Sequence, residues 1–395
     1  MKYNFDEVID RSGTYAVKLE AMPQGAPKDA LPVWVADMDF PCAEPIIKAL
    51  HERVDRRIFG YTMYGSDDVK DAVTGWFRKR FGWEVAREDL VFSPGVVPAL
   101  AYLIQLLTKE GDGVIIQRPV YHPFTNKLQG HRRRIANNAL IYENGAYRMD
   151  YADLEAKFAD ENNKGLILCS PHNPVGRVWT EEELRRVVDL AKRYGKWIIS
   201  DEIHSDLVRK GVTHHPLLKV APDYADHIIV CTAPSKTFNL AGMQLSNLVI
   251  PNKEWQKQWT EGMNGSCFLS SPSPFGIAAL IAAYTEGEEW LEQVRDYIDG
   301  NIQYVKDYVK EHFPKAHVVD TEGTYLVWID FNGYEKDPKR LEACMQKEGK
   351  IAFDEGYIFG EEGSGFERLN VATPRKNVEE CMRRIGNALE WLERI

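Results

Sequence analysis

The sequence predicts an α/β fold: a mostly parallel central sheet with helices on both faces, joined to a smaller α+β unit. Three observations predict it. From about residue 90 the chain alternates short apolar runs with helical patterns. Those runs are continuous rather than alternating, as in strands covered on both faces. Beyond about residue 286 the pattern changes to a long amphipathic helix and then one or two strands.

The strand candidates are, in order, DLVF, GVIIQ, GLILCS, KWIIS and HIIVCT. Between the third and fourth lies a helix with legible ends. Thr180 and Glu183 have capping-box spacing, apolar positions recur at Leu184, Val187, Val188 and Ala191, and Gly195 closes it. Strand–helix–strand units of this kind build a parallel sheet. Further on, EEWLEQVRDYIDGNIQYVKDYVKEHF reads as one long helix and HVVDTEGTYLVWIDF as one or two strands, and the last twenty residues are helical again. The expected division is a large domain over 50–285 and a small one from 1–49 with 286–395.

Composition narrows the function. A chain of 395 residues with 44% apolar residues suits a globular protein of two domains. A formal charge of −10 argues against a nucleic-acid binder, and HRRR at 131–134 reads as a solvated loop. The six cysteines lack metal-ligand spacing; Cys169 and Cys231 fall inside apolar runs, where a thiol packs as a small hydrophobe. That usage suggests a reducing compartment. MKYNFDEVIDR lacks the apolar core of a signal peptide, and GIAALIAAY is too short to span a bilayer. The expectation is a cytoplasmic protein with neither a membrane nor a nucleic-acid partner.

The chemistry lies in the segment after each strand. DLVF leads into SPGVVPAL, GVIIQ into RPVYHPF, GLILC into SPHNPVG, KWIIS into DEIHSD, and HIIVC into TAPSKTFNLAG. In an open parallel sheet these ends share one edge, where ligands bind. Gathered there are Tyr121, Asn173, Asp201, His204, Ser235 and Lys236. Singly, each has a plainer role: Asp201 a helix cap, Asn173 a turn residue, Tyr121 core packing, His204 a hydrogen-bonded supporting group, Lys236 a surface ion pair. Together they match the needs of pyridoxal phosphate. Lys236 offers the amine for a Schiff base with the aldehyde. Asp201 offers a carboxylate to keep the ring nitrogen protonated, Asn173 a neutral donor to the phenolic oxygen, and Tyr121 an aromatic face. Gly95, Val96 and Val97 open a helix after a strand, which suits a phosphate, and Ser235 can add a hydroxyl.

Over essentially its whole length the sequence resembles pyridoxal-phosphate enzymes of the aminotransferase fold (fold type I). More narrowly it resembles the cystathionine β-lyase branch, the cysteine-S-conjugate β-lyases of the cystalysin and maltose-regulon-modulator type. The resemblance is carried by LPVWVADMDF (31–40), FGYT (59–62), SPGVVPAL (93–100), RPVYHPF (118–124), SPHNPVGRVW (170–179), DEIHSDL (201–207), APSKTFNLAG (233–242) and FERLNVATPR (366–375). It implies that Arg368 clamps the substrate α-carboxylate, with Arg375 as the rival, and that the Ala36 N–H assists. It also implies a homodimer in which Tyr61 reaches the cofactor phosphate of the neighbouring subunit.

Two departures stand out. Where aspartate-type aminotransferases carry a phosphate-binding arginine eight residues after the lysine, this chain has Gln244, which favours the lyase branch. Where that branch often has two tyrosines, this chain has Tyr121-His122. The expected reaction is cleavage of L-cystathionine or a related cysteine S-conjugate to a thiol, pyruvate and ammonia. The alternatives are an amino-acid aminotransferase and, from another class, a regulatory binding protein on the same scaffold.

Overall fold

In the computed structural model, which describes residues 1–267 and 269–394, all five apolar runs are strands. They are β1 (Leu90–Ser93), β2 (Gly113–Ile116), β4 (Asn163–Cys169), β5 (Trp197–Asp201) and β6 (Ile228–Thr232). Two more complete the sheet: β3 (Arg134–Asn137) at one edge and β7 (Ser246–Val249) between β1 and β6. The order is β1-β7-β6-β5-β4-β2-β3. β7 runs antiparallel to both neighbours, and every other pairing is parallel. β1, β2, β4, β5 and β6 therefore point the same way, and their C-terminal ends share one edge.

Alternation within those runs shows why they are apolar throughout. Ile115, Leu166, Leu168, Ile198, Ile228 and Val230 enter one core, while Val114, Ile116, Ile167, Ile199 and Ile229 enter the other. Helices supply both. The capped helix spans Glu181–Arg193, and the Glu183 N–H donates to Thr180 Oγ1 at 3.2 Å while the Thr180 N–H donates to Glu183 Oε2 at 2.9 Å. Cys169 and Cys231 are buried free thiols, as their place in the strands implies. HRRR is not all loop: Arg134 opens β3, and Arg133 Nε donates to Thr108 Oγ1 at 2.8 Å.

A second sheet is antiparallel, with order β8-β9-β11-β10 from β8 (His317–Val318), β9 (Leu326–Asp330), β10 (Asp354–Glu355) and β11 (Phe366–Asn370). The long helix precedes it as Glu288–His312, and the chain's last helix is Arg375–Leu392. Leu31–Pro32 pairs in parallel with Ile351–Ala352, which ties the N-terminal stretch to this half of the sequence.

Candidate active site

Lys236 lies in one helical turn, Pro234–Thr237, directly after β6. Pro234 suits the first turn because its missing N–H would have no partner there. The Lys236 side chain is partly buried in the cavity wall, and Nζ donates to the Ala36 carbonyl at 2.7 Å. Burial, helped by the Arg368 charge, pushes the amine down to about 8. Nearby Asp37 and Asp201 oppose that shift. A lysine held this way has a substantial neutral, nucleophilic fraction near neutral pH.

Asp201 ends β5 fully buried. Burial pushes its carboxyl up to about 7, against a hydrogen bond from the Ile203 N–H at 3.2 Å and the charge of Lys236. No helix starts there, so Asp201 caps none. A carboxylate this deep calls for a cationic N–H partner.

Asn173 faces Arg368, whose Nη1 reaches Asn173 Oδ1 at 3.1 Å. Because a guanidinium only donates, the amide must turn its oxygen to Arg368 and keep its Nδ2 donors for another group. The Tyr121 N–H donates to the Asn173 carbonyl at 2.9 Å, which couples two strand-end loops. Burial lifts the Tyr121 hydroxyl to about 12, so it stays neutral. His204 is buried with Nδ1 unpartnered; desolvation and the charges of Lys236 and Arg368 hold it well below the usual histidine range.

The helix Val96–Leu107 begins at Gly95 with no side-chain cap, so the first N–H groups of that helix open onto the same cavity. That cavity, about 170 Å³, is lined by Ala36, Gly95, Val96, Val97, Tyr121, Asn173, Asp201, His204, Ser235 and Lys236. All of the strand-end residues singled out in the sequence meet there, and Gln244 and Ser246 add to the wall. The donor set fits pyridoxal phosphate: an amine, a buried carboxyl wanting an N–H, an amide donor, an aromatic ring and open backbone N–H groups for an anion.

Arg368 sits beside this cavity on β11, buried and bonded to Asn173. Its Nη2 donates to the Trp34 carbonyl at 2.7 Å and pairs with Asp354, and its guanidinium lies 5.0 Å from the Phe359 ring centroid. Arg375 is elsewhere, with Nε on Asn301 Oδ1 at 2.7 Å. Tyr61 stands apart from its own chain's cavity, 91% exposed.

Sequence reasoning missed Asp354 and Tyr325. Asp354 orients Arg368 from the adjacent strand, in direct register. Tyr325 donates its hydroxyl to the Ala36 carbonyl at 2.9 Å. Neither stands in a motif; only strand pairing and packing reveal them. Among the described residues no cluster of metal-ligating side chains occurs.

Residues 34–385, spanning both sheets and the whole cavity, match the family of aminotransferases of class I and II. The chain belongs to that family. Within it, the chain is 40% identical to cystathionine beta-lyase PatB of Bacillus subtilis (strain 168), covering 98% of this chain and 100% of the relative. Its structure is similar to that of cystalysin from Treponema denticola, which contains a pyridoxal 5'-phosphate cofactor: TM-score 0.95, 37% identity, 99% and 100% of the two chains. It is likewise similar to the PLP-bound C-S lyase from Staphylococcus hominis: TM-score 0.93, 35% identity, 98% of each chain. As a family member the chain has fold type I and is a pyridoxal-phosphate enzyme.

Proposed function

We propose that this chain is a pyridoxal-phosphate-dependent carbon–sulfur β-lyase. It cleaves L-cystathionine or a related cysteine S-conjugate to a thiol, pyruvate and ammonia. The observation that carries this is end-to-end likeness to a cystathionine β-lyase and to C–S lyases, joined to a cavity that holds the matching side chains.

When bound, pyridoxal phosphate supplies an aldehyde for amines and a protonated ring that takes up electron density from Cα. The chain's own residues do the rest. The N–H groups of Gly95, Val96 and Val97, with the Ser235 hydroxyl, hold the phosphate. Asp201 stays ionised against the ring N–H, Asn173 Nδ2 donates to the phenolic oxygen, Tyr121 packs against the ring, and His204 supports the set as a neutral group. Arg368 and the Ala36 N–H take the substrate α-carboxylate and so fix which bond at Cα faces Lys236. Lys236 Nζ would remove the Cα proton and pass it to the departing thiolate. The electrons of that bond expel the thiolate from Cβ. The three-carbon remainder takes up water and leaves as pyruvate and ammonia.

The working assembly is a homodimer in which Tyr61 enters the neighbouring site. Its support is exposure: Ile58, Phe59, Tyr61 and Met63 all face outward from one short segment. The chain divides into a large domain, 50–285, and a small one, 1–49 with 286–395, with the two sheets as their respective centres. The proposed location is cytoplasmic; among the described residues no helix is long and apolar enough to cross a membrane.

The test is pyruvate formation from L-cystathionine with no keto acid added. Steady pyruvate release supports the lyase. A strict requirement for a keto acid, with product amino acid formed in step, would replace it with an aminotransferase.

A further inference from the structure

Ala36 lies in a turn that side chains hold at nearly every residue. The Trp34 carbonyl accepts from Arg368 Nη2 at 2.7 Å, and Asn370 Nδ2 donates to the Val35 and Asp37 carbonyls at 2.7 and 2.6 Å. The Ala36 carbonyl takes Lys236 Nζ and the Tyr325 hydroxyl, and Asn239 bonds both backbone groups of Met38. Of these partners Lys236 lines the cofactor cavity, while Asn370 lines a second one.

In the same turn, Asp37 and Asp39 meet two cations from the N-terminal arm. Arg11 forks onto Asp37, Nη1 to Oδ1 at 3.1 Å and Nη2 to Oδ2 at 2.7 Å. Its Nη1 also reaches Asp39 Oδ1 at 2.7 Å. Lys18 Nζ donates to Asp39 Oδ2 at 2.7 Å and stands 3.7 Å from Asp37 Oδ1. The Lys18 side chain is only 3% exposed and all four groups are largely covered, so these are not solvated surface pairs. Two cations and two anions cancel. A cavity of about 410 Å³ is lined by residues of both arm and turn, Ile9, Arg11, Lys18, Val33, Asp39 and Asn370 among them. Beside the ion pairs, Trp34 Nε1 donates to the Lys18 carbonyl at 3.1 Å and Phe5 packs against Phe40.

We infer that Arg11 and Lys18 are positioning residues for the substrate-carboxylate clamp: paired with Asp37 and Asp39, they set the turn that presents the Ala36 N–H and the Trp34 carbonyl beside Arg368. The inference rests on the proposed function, in which that turn and Arg368 receive the α-carboxylate. Neither Arg11 nor Lys18 lines the cofactor cavity. Their effect belongs to binding of the carboxylate and not to the proton transfer at Lys236.

The test uses the holoenzyme and its cofactor absorbance. L-alanine, which has no β-leaving group, and ethylamine, which has no carboxylate, are titrated into wild type, Arg11→Ala and Arg11→Lys. Wild-type protein that responded to neither would overturn the functional reading and this inference with it. The inference expects Arg11→Ala to retain the cofactor band, to bind L-alanine about tenfold or more weakly, and to bind ethylamine as wild type does. KM for L-cystathionine rises by the same factor while kcat changes less than about threefold. Arg11→Lys recovers part of the loss, because a single ammonium replaces one arm of the fork. In a cycle with Asp37→Asn, the second substitution adds little to the first. Equal weakening toward L-alanine and ethylamine, or a loss confined to kcat, would overturn the inference.

Discussion

Replacing Asp201 by Asn removes one charge and almost no volume. Asn Oδ1 can still accept the Ile203 N–H, so the loop after β5 keeps its bond. What disappears is the buried anion. Burial, opposed by the Ile203 N–H and the Lys236 charge, holds that carboxyl at about 7, so a cationic partner is needed to keep it fully ionised near neutral pH, and the proposed function supplies one as the ring N–H. Losing one member of a buried ion pair costs about 3–5 kcal/mol. At about 1.36 kcal/mol per decade, kcat/KM should fall by about 10²- to 10⁴-fold. The assay is pyruvate release from L-cystathionine by protein shown to hold its cofactor. Apoprotein stability should move the other way. The folded-state pKa of Asp201 is raised, so its contribution is present at low pH and lost as pH rises from about 4 through about 7. Apo Asp201→Asn should therefore unfold no more readily than apo wild type at about pH 8. A cofactor-loaded variant within about tenfold of wild-type kcat/KM would show that no buried anion at Asp201 sustains the ring.

Other outcomes rest on the same geometry. Because burial holds Lys236 at about 8, about one amine in four is neutral at pH ~7.5, against about one in a thousand for an ordinary lysine. Reconstitution of apoprotein with pyridoxal phosphate, followed by absorbance, should accelerate with pH and level off near 8 rather than above 10. Arg368→Lys should raise KM about 10- to 100-fold in steady-state assays, since an ammonium cannot replace a fork already shared among Asn173, Trp34 and Asp354. Tyr61→Ala and Lys236→Ala proteins, each impaired alone, should on subunit mixing recover up to about a quarter of wild-type activity. Half the dimers would be mixed, with one intact site each; no recovery would remove Tyr61 from the neighbouring site.

How legible each feature is in the sequence depends on how it is built. β1, β2, β4, β5 and β6 are legible because burial on both faces leaves uninterrupted apolar runs. β3, with sequence RIAN and an exposed first residue, carries no such run. β7 begins Ser246-Asn247, and its polar start hides it; buried Asn247 receives the Tyr64 hydroxyl at 2.7 Å. The hairpin of Ile141–Glu143 and Ala146–Arg148 did leave a signal, the Asn144-Gly145 pair between its strands. Lys236, Asp201 and Asn173 could be found because strand ends of a parallel sheet converge, so position in the chain implies position in space. Arg368 came from resemblance alone. Asp354 was illegible because its job arises from lateral register: only once β10 lies against β11 does a carboxylate meet that guanidinium.

The covalent role of Lys236 is tested most directly by borohydride reduction of the purified, cofactor-loaded protein, followed by peptide mass mapping. The long-wavelength absorbance should bleach, and a pyridoxyl phosphate adduct should appear on Lys236 within the peptide containing APSKTFNLAG. An adduct on another lysine, or no adduct after incubation with excess pyridoxal phosphate, would contradict that role and the mechanism built on it.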